Sequence, residues 1–566
     1  MAAEVLPRRS NLHLLAVALA AIALAVPVES RAQAKDAFVE GLLLFSQAAS
    51  GNFGDEGPSL QQALAAMEAG LEGWNGAVAR VEAGFAGAIK AAAPREASQM
   101  RATLAVAYLD RGRLADALTQ LDTAASSVEA PFPVHVLRGL AADRANQAAV
   151  SAEAFRRARA LDPAGPVAAY LYLRATRETP AAPDRAQATA VLIGAVAALA
   201  SGSTPARFSV LSVDVIDDAA AESPLLPPAS YADAFALVGQ GRHAEALTSL
   251  RAAVATDPLT ADRALDSPGA RAASALLRKE DARGAIQALS SVPAREASSE
   301  IQRLLGLSYW AIEDYAKSLE HLAAAARLNP ADERARLSQA DVLVASGDGP
   351  AARSVLTAAV AAFPKSGQAR WRLGRLLLDL GDEAGALRAY EAVAGLMPVA
   401  GASAVHAVIG RLQHRRLELD LAASAYERRV RLSPNLRDAH LDLGDVYRAQ
   451  GRTEDALVEY AVAAALDPTS APAFAAAGQV RAEMADDEGA VPMLQAAVRL
   501  DAAHLEARYA LSRALLRLGR AEEARRELDA FERLQKAAMD AERRRFDENA
   551  RAIERTLRDG AQVPVR

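Results

Sequence analysis

Cysteine is absent from the 566 residues. That excludes disulfides, thiol nucleophiles and cysteine-anchored lipids together, and leaves export neither required nor barred. Aromatic residues are scarce, 5% of a chain that is 51% apolar. The apolar content is therefore mostly Ala and Leu, which suits closely packed helices better than sheets. Lysine is nearly missing: 58 of the 64 basic residues are Arg, so arginine is the default surface cation here and an arginine alone says little. No strong excess of either charge exists either, and a net charge of −6 carries no footprint of nucleic-acid binding. Catalytic signatures are missing too. There is no HExxH, no Gly-rich phosphate loop closed by Lys and Ser/Thr, and no Gly-x-Ser-x-Gly. The eight histidines show no metal-ligand spacing, and His406 and His440 recur at a structural repeat rather than at a site. The expectation is a protein with no catalytic residue, no metal and no cofactor.

What is present is repetition. The stretch from Asp438 to Pro468, DAHLDLGDVYRAQGRTEDALVEYAVAAALDP, reads as two amphipathic helices joined by a tight turn. Leu441, Leu443, Tyr447 and Ala449 space the first helix, and Ala456, Leu457, Tyr460 and Ala463 the second. Gly444 lets the second helix lie close on the first. Gly451 suits the left-handed residue that ends the first helix, and Pro468 stops the second. Leu443-Gly444, Tyr447, Ala456, Tyr460, Ala463 and Pro468 fall in the order of the tetratricopeptide repeat, a unit of about 34 residues, which this stretch resembles. His440 stands where that family usually has Trp.

The same register recurs along the chain. It begins at Ala97 with Leu104, Tyr108, Gly112 and Ala117, continues through Gly139, Phe155 and Pro163, and weakens between Pro166 and Ala200. From Ser230 to Arg520 it is nearly unbroken, through Gly306, Gly374, Gly410, Gly444 and Gly478. Between them, residues 201–228 lose the period. Phe208 to Ile216 partly alternates, as a strand would, but one strand has no visible partner, so a linker or ordered loop is preferred. The expected organisation is a signal peptide at 1–34, a partly degenerate helical array at 35–200, a linker or loop at 201–228, an array at 229–520, and a charged helix and tail at 521–566. The resemblance implies an all-α fold, a right-handed superhelical solenoid of helix-turn-helix repeats ending in a long helix.

The N-terminal assignment rests on the chain's one long apolar run. It extends from Leu12 to Val26, about 15 residues against roughly 20 for a bilayer span. Arg8 and Arg9 precede it and Ala32-Gln33-Ala34 follows it with the small-x-small form of a cleavage site. A cleaved signal peptide is preferred over a retained anchor. The expected chain is thus exported and periplasmic, soluble or peripherally attached, with no transmembrane span after cleavage.

In proteins of the resembled family the first helices of successive repeats line a concave groove. Carried onto this sequence, groove positions include Arg303 and Trp310, Asp341, then Trp371, Arg375 and Asp379. Further on they include Arg411, His414 and Arg415, then Asp445 and Arg448, and finally Tyr509, Arg513 and Arg517. The expected partner-binding groove is Arg303, Trp310, Trp371, Arg375, Arg411, His414, Arg415 and Arg448. Guanidinium groups hold carboxylates in two-pronged pairs and Trp offers a flat apolar platform. The partner expected is a protein or acidic peptide segment, with an anionic polysaccharide as the other anionic ligand and no nucleic acid. The Asn and Lys that clamp C-terminal carboxylates in some relatives are missing, which argues against a chaperone-tail role.

The end of the chain is different. From Ala521 to Asp559 there is neither Gly nor Pro, both charges are dense, and Met539, Phe546 and Ile553 are seven apart. One long helix is expected, covering the open end of the array. The other reading is a short coiled coil holding a dimer or a partner helix. Together these features imply a non-catalytic interaction scaffold in the bacterial cell envelope, assembling or presenting components of an export, polysaccharide or enzyme-maturation system. The alternative is a regulatory or substrate-presenting subunit of a separately encoded enzyme.

Overall fold

The computed structural model describes residues 60–558, save short stretches of which 203–228, 257–267, 293–297 and 397–401 are the longest. The expected signal peptide, the tail and nearly all of the expected break therefore lie outside the described residues. Among these, every element is helical and no strand occurs. The first helices are α1 (Leu60–Ala91), α2 (Pro94–Asp110), α3 (Leu114–Ala125), α4 (Phe132–Arg144) and α5 (Ala148–Leu161). A pair follows, α6 (Pro166–Ala175) and α7 (Arg185–Ala200). A 3-10 turn at Ala229–Tyr231 then leads into α8 (Ala232–Gly239), α9 (His243–Thr256), α10 (Pro268–Arg278) and α11 (Ala282–Ser290). The regular pairs are α12 (Ser299–Ala311) with α13 (Tyr315–Leu328), α14 (Glu333–Ala345) with α15 (Gly349–Ala362), and α16 (Gly367–Asp379) with α17 (Glu383–Leu396). They continue as α18 (Ala402–Arg415) with α19 (Leu419–Leu432), α20 (Arg437–Ala449) with α21 (Thr453–Leu466), and α22 (Ala471–Glu483) with α23 (Asp487–Leu500). The last are α24 (Leu505–Arg517) and α25 (Ala521–Arg558).

The helices end where the chain chemistry ends them. Ser298, Asp314, Asp332, Asp348, Ser366, Ser470 and Asp486 each accept a backbone N–H of the following first turn. The turn inside each pair needs one residue with positive φ. Gly347, Gly381, Gly451 and Gly519 supply it at φ 83°, 78°, 75° and 75°. Glu313, Leu417 and Ala485 hold the same place at 60–62°, which a side chain tolerates at some cost.

Packing within a pair turns on one glycine in the first helix. A Cβ added at Gly444 would lie 2.6 Å from the ring of Tyr460, at Gly410 2.8 Å from Tyr426, and at Gly374 3.0 Å from Tyr390. At Gly306 and Gly478 the side chain occupying that space is Leu322 or Leu494. The glycine removes one side chain so that a larger one on the second helix can be buried whole.

The contacts divide the chain into two units. One comprises Met1–Asp162 and Leu211–Asn435, the other Pro163–Val210 and Leu436–Arg566. In the first, α1 packs on α2 and α9, and consecutive helices from α10 to α19 pack in sequence. In the second, α20 to α25 pack in sequence and α7 lies on α21 and α23. That last contact joins residues nearly 300 positions apart.

Candidate functional site

Of the eight expected groove residues, all but Arg448 lie in the first unit. α16, α17, α18 and α19 share one core that includes Leu377, Tyr390, Val393, Val405, Ile409, Leu412 and Ala425. On this support Trp371 meets Tyr390 edge to face, ring centres 5.0 Å apart. One helical turn beyond Trp371 stands Arg375, exposed and without a hydrogen bond or ion pair among the described residues. Its charge is nevertheless felt. Burial pushes the Tyr390 hydroxyl up to about 12, and Arg375 acts against that shift. Burial also pushes the Asp341 carboxyl above its ordinary range, opposed by Arg372 and by Arg375. Asp341 is itself held by Arg372, 3.2 Å from each of its oxygens.

Arg411 is the counterpart of Arg375 one repeat later. Each follows the glycine, Gly374 or Gly410, that admits the second-helix tyrosine, so the repeat sets them in the same phase. Arg411 too is exposed and without a partner among the described residues. His414 is half-buried. Arg415 is exposed but pairs with Glu383 of α17 at 2.6 Å.

Other expected groove residues are placed differently. Arg303 is 3% exposed, its guanidinium donating to both oxygens of the equally buried Glu300 at 2.8 and 2.6 Å. It is a buried ion-pair member, unable to meet a partner at the surface, because its own helix supplies a carboxylate one turn away. Trp310 is half-buried. Nearby, the Ala229 N–H donates to Glu333 at 3.2 Å and Lys365 pairs with Asp233 at 2.7 Å. The 3-10 turn and α8 thus meet the N-terminal ends of α14 and α16.

Arg448 belongs to the second unit. It donates to Gln479 at 3.3 Å and pairs with Glu483 on α22. The position after the glycine is there Asp445, which accepts the Tyr460 hydroxyl at 2.6 Å. Tyr509 packs on Phe531 at 5.4 Å with Arg513 over its ring, and Arg517 pairs with Asp487 at 2.7 Å. Arg375, Arg411 and Arg415 thus stand on helices α16 and α18, which share one core with Trp371, whereas Arg448 is engaged inside the other unit.

A second cluster was missed by sequence reasoning. Glu459 on α21 is buried, and its two oxygens receive Arg177, from the end of α6, at 2.8 Å and His440 Nδ1 at 2.7 Å. Arg177 also lies 5.1 Å over the Tyr447 ring, and Tyr170 meets His440 edge to face at 5.7 Å. Arg185 of α7 reaches Asp455 at 3.1 Å, and Arg499 donates to the Ala200 carbonyl at 2.7 Å. Burial alone would push the Glu459 carboxyl up; the His440 hydrogen bond and the Arg177 and Arg174 charges outweigh it and hold it below the ordinary range. One signal is present in the sequence. After Asp455, Glu459 is the one charge on a helix buried continuously from Ala456 to Ala465, and a helix apolar all round is covered all round.

Among the described residues no group of three or more His, Asp or Glu could hold a metal ion, and no helix is long and apolar enough to cross a membrane. Residues 102–166, 337–400 and 409–471 match one tetratricopeptide-repeat family and residues 227–252 and 505–530 another. The chain is thus an all-α array of helix-turn-helix units that carries tetratricopeptide repeats in both of its units. No curated protein matches it. Among solved structures, YrrB, a TPR protein with an unusual peptide-binding site, is 22% identical over 33% of this chain and 96% of its own, TM-score 0.30. MamA is 20% identical over 29% of this chain and 94% of its own, TM-score 0.27. The C-terminal part of a TPR repeat-containing protein from Cytophaga hutchinsonii is 17% identical over 43% and 99%, TM-score 0.38.

Proposed function

We infer that the chain is a non-catalytic scaffold of the bacterial cell envelope, exported by the segment 1–34, whose groove on α16 and α18 holds an acidic peptide segment of a partner. The carrying observation is the pair Arg375 and Arg411. They are exposed, without partners among the described residues, and in equal repeat phase beside Trp371, whereas Arg303, Arg415 and Arg448 are already paired. Two guanidinium groups one repeat apart suit carboxylates spaced along an extended chain, and Trp371 offers apolar area for a side chain between them. Scaffolding fits the export signal: Arg8-Arg9, the apolar run and Ala32-Gln33-Ala34. The systems such a scaffold serves are export, polysaccharide assembly or enzyme maturation.

The test is binding of a Glu- and Asp-rich peptide carrying one Leu or Trp, with a Lys-rich peptide and a uronic-acid oligosaccharide as comparisons. Charge-assisted bonds shielded from water contribute roughly 1.5–3 kcal/mol each, exposed ones about 0–1 kcal/mol. Arg375→Ala with Arg411→Ala should therefore weaken the acidic peptide by about a hundredfold while the melting temperature holds. Equal binding by parent and double variant would overturn the site. Tighter binding of the oligosaccharide would change the ligand class. A purified chain beginning at Lys35 supports export, and one that retains the apolar run opposes cleavage.

A further inference from the structure

The last helix continues past its support. α25 has 38 residues, about 57 Å at 1.5 Å per residue. Its beginning is packed: Ala524 is buried, Phe531 meets Tyr509, and Glu527 receives Arg508 at 2.6 Å. From Gln535 to Arg551 every side chain except Ala541 is exposed. Two of them are large and apolar, Met539 at 65% and Phe546 at 74% exposure. Seven residues apart, they lie on one face two turns from each other.

The charges around that face are ordered. Arg543 falls on the apolar stripe between the two. Asp540 and Asp547 run along one edge and Glu542 along the other, while Arg544 and Arg551 lie further round, where i,i+4 spacing sets them by Asp540 and Asp547. The apolar stripe is therefore bordered by acid, with Arg543 in its centre and Lys536 at the same phase one heptad earlier, before Met539.

We propose that this face of α25 docks one helix of another protein, an amphipathic segment with an apolar seam, basic residues along both seam edges and a carboxylate opposite Arg543. A second copy fits poorly. Side by side in parallel, it sets Arg543 against Arg543 and Glu542 near Asp547, and in the antiparallel sense each acidic edge meets itself. An anionic bilayer fits poorly as well, since such helices carry Lys and Arg at the border of the apolar face and here the border is acidic. A helix that merely closes the array has no need of Met and Phe in register on its outward continuation. The site is separate from the groove on α16 and α18 and stands or falls independently of it.

The experiment uses the full chain and two synthetic helical peptides with the same Leu seam and one central Glu, one flanked by Lys and the other by Glu. Fluorescence anisotropy should show the Lys-flanked peptide binding at least tenfold tighter, with loss at high salt. Asp540→Lys with Asp547→Lys should reverse the preference, and Phe546→Asp should abolish binding of both with no change in melting, because these side chains are exposed. Three outcomes overturn the proposal: no peptide binding, equal binding of the two peptides, or a dimer in sedimentation that Phe546→Asp dissolves. Association with anionic vesicles that Phe546→Asp removes would overturn it in favour of a membrane surface.

Discussion

The residue that follows the packing glycine differs between the two units. After Gly374 and Gly410 of the first it is Arg375 and Arg411, both exposed and without partners among the described residues, and after Gly306 it is Leu307; in the second it is Asp445, bonded to Tyr460, and Gln479, bonded to Arg448. The second helices differ as well. Those of α21 and α23 carry α7, with Glu459 and Asp455 closing on Arg177 and Arg185. One repeat thus fixes the Gly–Tyr interlock in both units and leaves the groove edge and the far side of the second helix to local substitution. Where these positions pair inside the unit they stabilise it; where they do not, they are available to a partner.

The largest expected effect of breaking this contrast lies at Glu459. Removing one member of a buried pair leaves the other charge without compensation, at about 3–5 kcal/mol. Glu459→Ala should lower the melting temperature and raise hydrogen exchange in α6, α7, α20 and α21, leaving α16 and α18 unchanged. Unchanged exchange in α7 would mean that the ion pairs do not hold the hairpin.

Acid sharpens the comparison. In the first unit, burial first and then Arg428 push His406 down to about 4, and burial lowers His135 and His321 as well. A histidine kept neutral in the fold binds its proton more readily unfolded. Its contribution is whole above about 6.5 and is lost as pH falls from there toward 4, about 3 kcal/mol for His406. Glu333 and Asp341, raised by burial, act in the opposite sense, so the difference between the parent and His406→Gln isolates the histidine. Glu459, held below 4.5 in the fold, keeps its contribution whole above about 4.5 and loses it as the pH falls from there through the lower folded value. Exchange in α18 should therefore rise between pH 6.5 and 4.5 while exchange in α21 does not. Equal behaviour of the two would refute the contrast.

The smallest effect concerns the turns. Leu417 sits at φ 60° and is 79% exposed, where four other repeats have glycine. Leu417→Gly should stabilise by about 0.5–1 kcal/mol and Gly451→Ala destabilise by about 1 kcal/mol, read from thermal melts. A lower melting temperature for Leu417→Gly would show that its side chain contributes packing that the exposure does not reveal.

Helices, pair spacing and the glycine interlock were legible because their causes are local: periodicity, Ser and Asp caps, and Gly and Pro at the ends of helices. The groove was legible only as a set of positions. Arg303, Arg375, Arg411 and Arg448 look alike in sequence, yet one is buried on Glu300, two are without partners among the described residues and one is held by Glu483. Whether a guanidinium finds a carboxylate within 3 Å depends on which side chains neighbouring helices bring beside it. His440 shows the same limit. Its place in the repeat is set by period, but its hydrogen bond to Glu459 and its contact with Tyr170 join three separate helices.

The sequence by itself determined an all-helical chain of paired units, since helix formation and the close approach of two consecutive helices depend on residues within about one repeat of each other. Tertiary structure alone decided that α7 covers α21 and α23 and which arginines are without partners among the described residues. Those outcomes rest on contacts such as Arg177 with Glu459, 282 residues apart, and local period and propensity carry no information across that distance.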